Sequence, residues 1–459
     1  MSPSSLTVSL SSKKVGAILE HLAEVQRVPT PDVLPPFCQV LYGGAHLFHA
    51  GLPAKAGRLA LAALDGWGRD AASFGACLGV TDRALAEEVW TKVRARLETR
   101  PLDAMCADFE DGFGLRSDAE EDAEALRVAR ELSLHVLAAA ASPATTPRVG
   151  VRIRALAGLS ARRAARTLDL VLTAMLEQTG GVVPRGLTVT LPKVTHPAQV
   201  AALVEMLTMI EDARNITRGA IGVEILVETP RALWDETGRV LVPALVAAAA
   251  GRCGAAHLGA YDLSSSLGVP MSAQRLDHPL CDLARAIMVA TLEGTGAVAV
   301  DGVTTALPLP RHKEGDRTLS DMEQEENLRA VRDAWTLHAH HVTHALEHGV
   351  HAGWDIHPAQ LPARYGALFA HYLTHRAEVT TRLARFLEAA TRAVRTGQDF
   401  DDAATAEGAL TFLVRGLACG ALDHADVARA GLTPEELAWR SFARVIAGRV
   451  ALGRPSPST

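Results

Sequence analysis

Two consecutive apolar runs, each closing on a carboxylate and separated by helix-forming sequence, constrain the fold of this chain more than any other feature. Ile221 to Val227 runs into Glu228-Thr229, and Ala255 to Tyr261 runs into Asp262. The segment between them, Pro230 to Arg252, is rich in Ala, Leu and Val and reads as helix. An apolar run, a polar residue at its end and then a helix is the β-α unit of a parallel sheet, whose strands are buried on both faces. Two acids at the same ends of neighbouring parallel strands point into one mouth. A pair of hard oxygen ligands there, with few thiols or imidazoles nearby, suits Mg²⁺ or Mn²⁺. The competing reading is that Glu228 and Asp262 merely cap the helices that follow them.

The pattern recurs along the chain. Further strands are expected at Cys38–Tyr42, Ala104–Phe109, Arg148–Ile153, Gly186–Leu191, Ala297–Val300 and His351–Ile356, nearly all separated by helical sequence. Eight such units predict an α/β fold, a (β/α)₈ TIM barrel, over residues 37–376. A Ser- and Pro-rich N-terminal extension, 1–36, precedes it, and a C-terminal helical region, 377–459, follows. In such barrels the active site lies at the C-terminal strand ends. The residues there are His46, Glu110, Asp111, Arg152, Arg154, Lys193, Glu228, Asp262, Asp301 and His357. Acids, two arginines and a lysine in register suggest an anion-binding metal site.

Composition removes other classes of function. A formal net charge of −6 supplies no field for nucleic acid or an anionic membrane surface, and 4% aromatics leave little for base stacking. The six cysteines are scattered with no Cys-x-x-Cys pair, which fits a reducing cytoplasm better than a disulfide framework. The sequence has no secretory signal and no apolar run of ~20 residues, so a cytoplasmic location without a membrane partner is expected.

The motifs at the strand ends carry a family resemblance. They are Asp108-Phe109-Glu110-Asp111, Val151-Arg152-Ile153, Leu191-Pro192-Lys193-Val194, Val227-Glu228-Thr229, Gly259-Ala260-Tyr261-Asp262 and Ile356-His357-Pro358. In order and spacing over roughly residues 38–375 they resemble the HpcH/HpaI aldolase and citrate lyase β-subunit-like superfamily, the phosphoenolpyruvate/pyruvate-domain barrels. The fuller wording, with Tyr42-Gly43-Gly44-Ala45-His46 and Gly353 to Leu361, resembles a bacterial aldolase-like branch of it.

The resemblance implies a Mg²⁺- or Mn²⁺-dependent carbon–carbon lyase, aldolase or Claisen-type. Its substrate would be a small 2-oxo or hydroxy acid or its CoA thioester, and a homo-oligomer is expected. By resemblance Glu228 and Asp262 hold the metal and Arg152 meets the keto or enolate oxygen. Glu110 and Asp111 form the acidic pair near the metal and its water. From their place at the strand ends, Arg154, Lys193 and His357 are expected to contact substrate, with a fixed turn supporting the mouth as the alternative for His357. Two departures stand out: Asp111 occupies a position where pyruvate aldolases carry a histidine base, and Arg154 stands where citrate lyase-like chains usually carry Asn. The alternatives are a phosphoenolpyruvate- or oxaloacetate-handling enzyme on the same barrel and a catalytically silent ligand-binding barrel.

Two further stretches invite a functional reading. His338, His340, His341, His344, His348 and His351 crowd one segment, and His344 to His348 spells H-x-x-E-H with Glu347. With no third ligand evident in sequence, a solvated histidine-rich helix face is expected. Arg311-His312-Lys313 reads as a solvated lid, with an anion clamp as the alternative.

Overall fold

The computed structural model describes residues 37–141, 146–314, 317–396 and 403–451. The extension expected at 1–36 lies outside the described residues. Eight strands form a closed, wholly parallel barrel in sequence order. They are β1 (Gln39–Gly44), β2 (Ala104–Asp108), β3 (Arg148–Arg152), β4 (Thr188–Leu191), β5 (Gly222–Val227), β6 (Cys253–Leu258), β7 (Val298–Asp301) and β8 (Ala352–Asp355).

Alternation along each strand separates two cores. Side chains of successive strand residues leave opposite faces, so Val40 and Tyr42 fall in the lumen while Leu41 packs outward against helices. The lumen holds a small apolar set that includes Cys106, Leu226, Ala255, Val300, Ala352 and Trp354. The larger core lies between sheet and helices, where Met105, Val151, Val189 and Ile225 meet Leu132, Leu172, Leu203 and Trp335. Closure removes every sheet edge, and the helices supply the apolar partners that strands buried on both faces require.

Register aligns the mouth. Gly44 pairs with Asp108, Asp108 with Arg152, and Arg152 with Thr190, so four neighbouring strands present one row of residues.

The expected helix from Pro230 to Arg252 is broken into Pro230–Leu233 and Val242–Ala248. Asp235 causes the break, because its Oδ1 accepts from the backbone N–H of Thr237 and Arg239 at 2.8 and 2.9 Å, while Gly238 takes φ +81°. Such an Asx turn offers the backbone a local alternative to helix. Strand β6 also ends earlier than expected, at Leu258, and Asp262 belongs to the helix Ala260–Ser266. The helix Leu361–Thr396 runs 36 residues, continuing through position 377, and the helix Ala403–Cys419 packs on it through Tyr372 and Phe412, 4.9 Å between ring centroids.

The histidine-rich helix Asp321–Glu347 is only in part the solvated face expected of it: His340 is exposed. His338 and His341 are buried, both bonded to Thr304, and His338 also pairs with Asp355 at 3.0 Å. Burial pushes His341 down to about 4; Asp277 opposes this, and His338, His340 and Arg285 add to it. The folded state therefore holds His341 neutral where the unfolded chain, titrating near 6.5, would protonate it. Stability is full above that value and falls as pH drops toward the folded-state value. Between pH 7.5 and 5, urea unfolding should show the wild type losing about 2 kcal/mol more than His341→Gln. Equal losses in the two proteins would disprove the assignment.

Candidate active site

The mouth is built around Arg152, the last residue of β3, which is 4% exposed. Its Nε donates to Asp108 Oδ1 at 2.6 Å and its Nη2 donates to Asp108 Oδ2, a two-pronged pair across adjacent strands. Planar guanidinium and carboxylate match in this geometry, which makes it among the stronger polar contacts available. Below the guanidinium lie the rings of Tyr42 and Trp354, 5.5 and 5.8 Å from it and stacked on each other at 4.6 Å. Burial alone would lower the Arg152 pKa; Asp108 and Glu110 overcome it and hold the group above its ordinary value. Nη1 has Glu110 Oε2 at 3.6 Å, beyond hydrogen-bond reach.

Asp108 also folds the loop that follows it. Its two oxygens accept from the backbone N–H of Glu110 and Gly112, each at 2.8 Å. That turn sets Glu110 and Asp111 beside Lys193, whose Nζ donates to Glu110 and, at 3.1 Å, to Asp111. Burial raises Glu110, against the pull of Arg152 and Lys193. Asp111 is lowered, because Glu110, Arg152 and Lys193 together outweigh its burial.

Lys193 adopts φ +51°, a left-handed conformation that a side-chain-bearing residue holds only under constraint. The constraint is visible: its backbone N–H donates to Glu228 Oε1 at 2.5 Å. Glu228 is 1% exposed and is pushed up to about 8, first by burial and further by Asp262, with Lys193 and Arg152 opposing. Neither acid caps a helix. Thr229 caps the helix after β5, its Oγ1 accepting from Ala232 N–H at 3.1 Å, and Asp262 sits inside the first turn of its own helix.

Asp108, Asp111, Arg152, Glu228 and Asp262 share one cavity of about 390 Å³, completed by Tyr42, Leu47, Tyr261 and Trp354. A larger hollow of about 410 Å³ opens at the opposite, N-terminal end of the barrel and contains none of these groups.

Arg154, His357, Asp301 and His46 do not line the mouth cavity. Arg154 donates to Glu121 Oε2 and to the Gly114 carbonyl, each at 2.8 Å, bracing the loop after β2. The ring Nδ1 of His357 accepts from Ala359 N–H at 3.1 Å, capping the short turn that follows. Asp301 is paired with Arg285. His46 is exposed. In the loop after β7, His312 is held by Glu326 and Asn327.

Sequence reasoning passed over Asp108, Tyr42 and Trp354 as site residues. Asp108 was visible only as the first letter of its motif, and the two aromatics read as strand core. Glycines complete the mouth: a Cβ on Gly259 would lie 2.2 Å from Glu228 Cβ and 2.7 Å from its Oε2, and one on Gly44 would meet the Gly112 carbonyl at 2.2 Å.

A family model described as "Domain of unknown function (DUF6986)" matches residues 33–445, and the chain belongs to that family. Among solved structures it is similar to Haloferax volcanii malate synthase. In the pyruvate/acetyl-CoA ternary complex the identity is 15%, covering 58% of this chain and 60% of that one, with a TM-score of 0.41. In the magnesium/glyoxylate complex it is 16% over 57% and 64%, with a TM-score of 0.40. The lead(II) complex gives 15% over 76% and 89%, at a TM-score of 0.40. The chain thus spans less than two thirds of the first two relatives' length. No curated protein matches the sequence.

Gly259→Ala should destabilise the barrel by about 1–3 kcal/mol through overpacking against Glu228. Gly254→Ala, at a position with nothing within 4 Å of an added Cβ, is the matched control. Urea melts with similar midpoints for both variants would show that the close approach at Gly259 is unimportant.

Proposed function

We propose that this protein is a divalent-metal-dependent carbon–carbon lyase, aldolase or Claisen-type, acting on a small 2-oxo or hydroxy acid or its CoA thioester. The observation that carries the reading is the charge imbalance at the mouth. Five carboxylates, Asp108, Glu110, Asp111, Glu228 and Asp262, face two cations, Arg152 and Lys193. An anionic substrate is repelled by that excess unless a further cation joins it. Glu228 and Asp262 are the pair fitted to hold one: both are hard oxygen donors lining one cavity, and Asp262 stands close enough to add to the burial that raises Glu228. Mg²⁺ or Mn²⁺ held there would supply Lewis-acid stabilisation of negative charge on a substrate oxygen.

The remaining roles belong to this chain's own residues. Asp108 fixes the plane of the Arg152 guanidinium through Nε and Nη2, which leaves Nη1 to donate to the oxygen of an enolate formed as a C–C bond breaks. Asp111 is more exposed than its neighbours and is held ionised, so it can accept or return a proton at the substrate carbon. Lys193 orients Glu110 and Asp111 and pins Glu228 through its backbone N–H. Tyr42 and Trp354 keep water from the underside of Arg152.

Turnover of a panel of 2-oxo and hydroxy acids and their CoA thioesters, with and without EDTA, tests the reading. Glu228→Gln and Asp262→Asn should each cut turnover by about a thousandfold, the scale of several kcal/mol of lost Lewis-acid stabilisation. Both variants should also weaken Mg²⁺ or Mn²⁺ binding by calorimetry. Arg152→Lys should lower turnover more than metal affinity, since a point charge cannot reproduce the planar fork. Full turnover in excess EDTA would refute the proposal, as would unchanged metal affinity in both carboxylate variants.

A further inference from the structure

The H-x-x-E-H string lacks a third ligand in the sequence, and the fold brings one to it. Asp282, in the first turn of the helix Pro279–Leu292, faces His344 and His348 at the end of the neighbouring helix Asp321–Glu347. His344 Nε2 lies 2.7 Å from Asp282 Oδ1, His348 Nε2 lies 3.8 Å from it, and the three ligand atoms all fall within 4.8 Å of one another. We propose that Asp282, His344 and His348 form a second divalent-metal site, one for zinc-class transition metals, that clasps these two outer helices. This site is independent of the reading of the barrel mouth.

Four observations carry it. The two histidines are four residues apart on one helix, with ring centroids 4.4 Å apart, so both imidazoles leave the same face. His348 Nδ1 donates to the His344 carbonyl at 2.8 Å; this hydrogen bond fixes the tautomer and leaves Nε2 as a lone-pair donor. Arg285 Nη1 donates to Asp282 Oδ1 at 2.6 Å while its Nε holds Asp301 at 2.8 Å, so the carboxylate is oriented by a side chain anchored at the end of β7. Both histidines close their helix at its C-terminal end, where the backbone carbonyls favour positive charge.

All three residues are partly exposed, so an ion can reach them. Two tetrahedral zinc ligands lie about 3.4 Å apart, and the observed separations bracket that spacing. Binding would displace the hydrogen bond between His344 Nε2 and Asp282 Oδ1, any proton on Nε2 passing to Nδ1 or to solvent, with water as the fourth ligand. Two imidazoles with one carboxylate suit Zn²⁺, Co²⁺ or Ni²⁺ rather than Mg²⁺. Glu347 is exposed, so the site has no general base placed as a peptidase would require. Its role is to tie helices together.

The test uses the full chain without an affinity tag, titrated with ZnCl₂ in saturating Mg²⁺ and followed by calorimetry and thermal melting. One Zn²⁺ per chain should bind and raise the melting temperature, and Co²⁺ should give the intense visible absorption of four-coordination. His348→Gln and Asp282→Asn should each weaken Zn²⁺ by about tenfold or more, the scale on which even the supporting partners of a metal ligand matter. Glu228→Gln should leave this binding intact. The metal-free double variant His344→Gln/His348→Gln should melt cooperatively, which shows that lost binding is not lost folding. Zinc stoichiometry and affinity unchanged in that double variant, or no zinc uptake by the wild type, would overturn the proposal.

Discussion

The mouth of this barrel depends on one buried ion pair, Arg152 with Asp108. A lone guanidinium at that depth would be prohibitive, because taking an ion from water costs several kcal/mol even after relaxation. Adjacent parallel strands in register put a matching carboxylate opposite it, and the cost is met by paired hydrogen bonds. Asp108 then has lone pairs left for the backbone of Glu110 and Gly112. One residue thereby fixes both the cation and the acidic loop beside it.

From that pair the geometry propagates through groups with little freedom. The loop delivers Glu110 to Lys193, and the backbone of Lys193, turned left-handed, delivers its N–H to Glu228. Gly259 and Gly44 let neighbouring strands close on Glu228 and on the Gly112 carbonyl, where any Cβ would collide. At the other acid-bearing strand ends, cations from outer helices neutralise the charge: Arg285 meets Asp301, and Arg364 meets Asp355. Glu228 and Asp262 have no such ion pair among the described residues; Glu228 accepts the backbone N–H of Lys193 instead.

The barrel was legible because its signal is summed over many residues. Apolar runs of strand length alternate with helical sequence eight times, and misjudging one boundary, as at Tyr261, does not alter the count. Position at a strand end marked Arg152, Glu110, Asp111, Lys193, Glu228 and Asp262, which the structure gathers at the mouth, but it marked His46, Arg154, Asp301 and His357 equally, and these do not line the cavity. Local turn chemistry was harder to read: Asp235 breaks an Ala- and Leu-rich stretch that composition assigns to one helix.

What the sequence determined by itself is therefore the periodicity, and with it the fold class and the end of the sheet where polar residues gather. Direction and partnership were decided only by the tertiary structure. Arg154 and Arg152 are two residues apart, yet one braces a loop through Glu121 while the other faces the cavity. Asp282 lies more than sixty residues from His344, and only the packing of two helices makes them neighbours. The physical reason is common to these cases. Burial rewards apolar pattern locally, residue by residue, whereas the energy of a charge depends on which group stands opposite it, and that is set by strand register and helix packing.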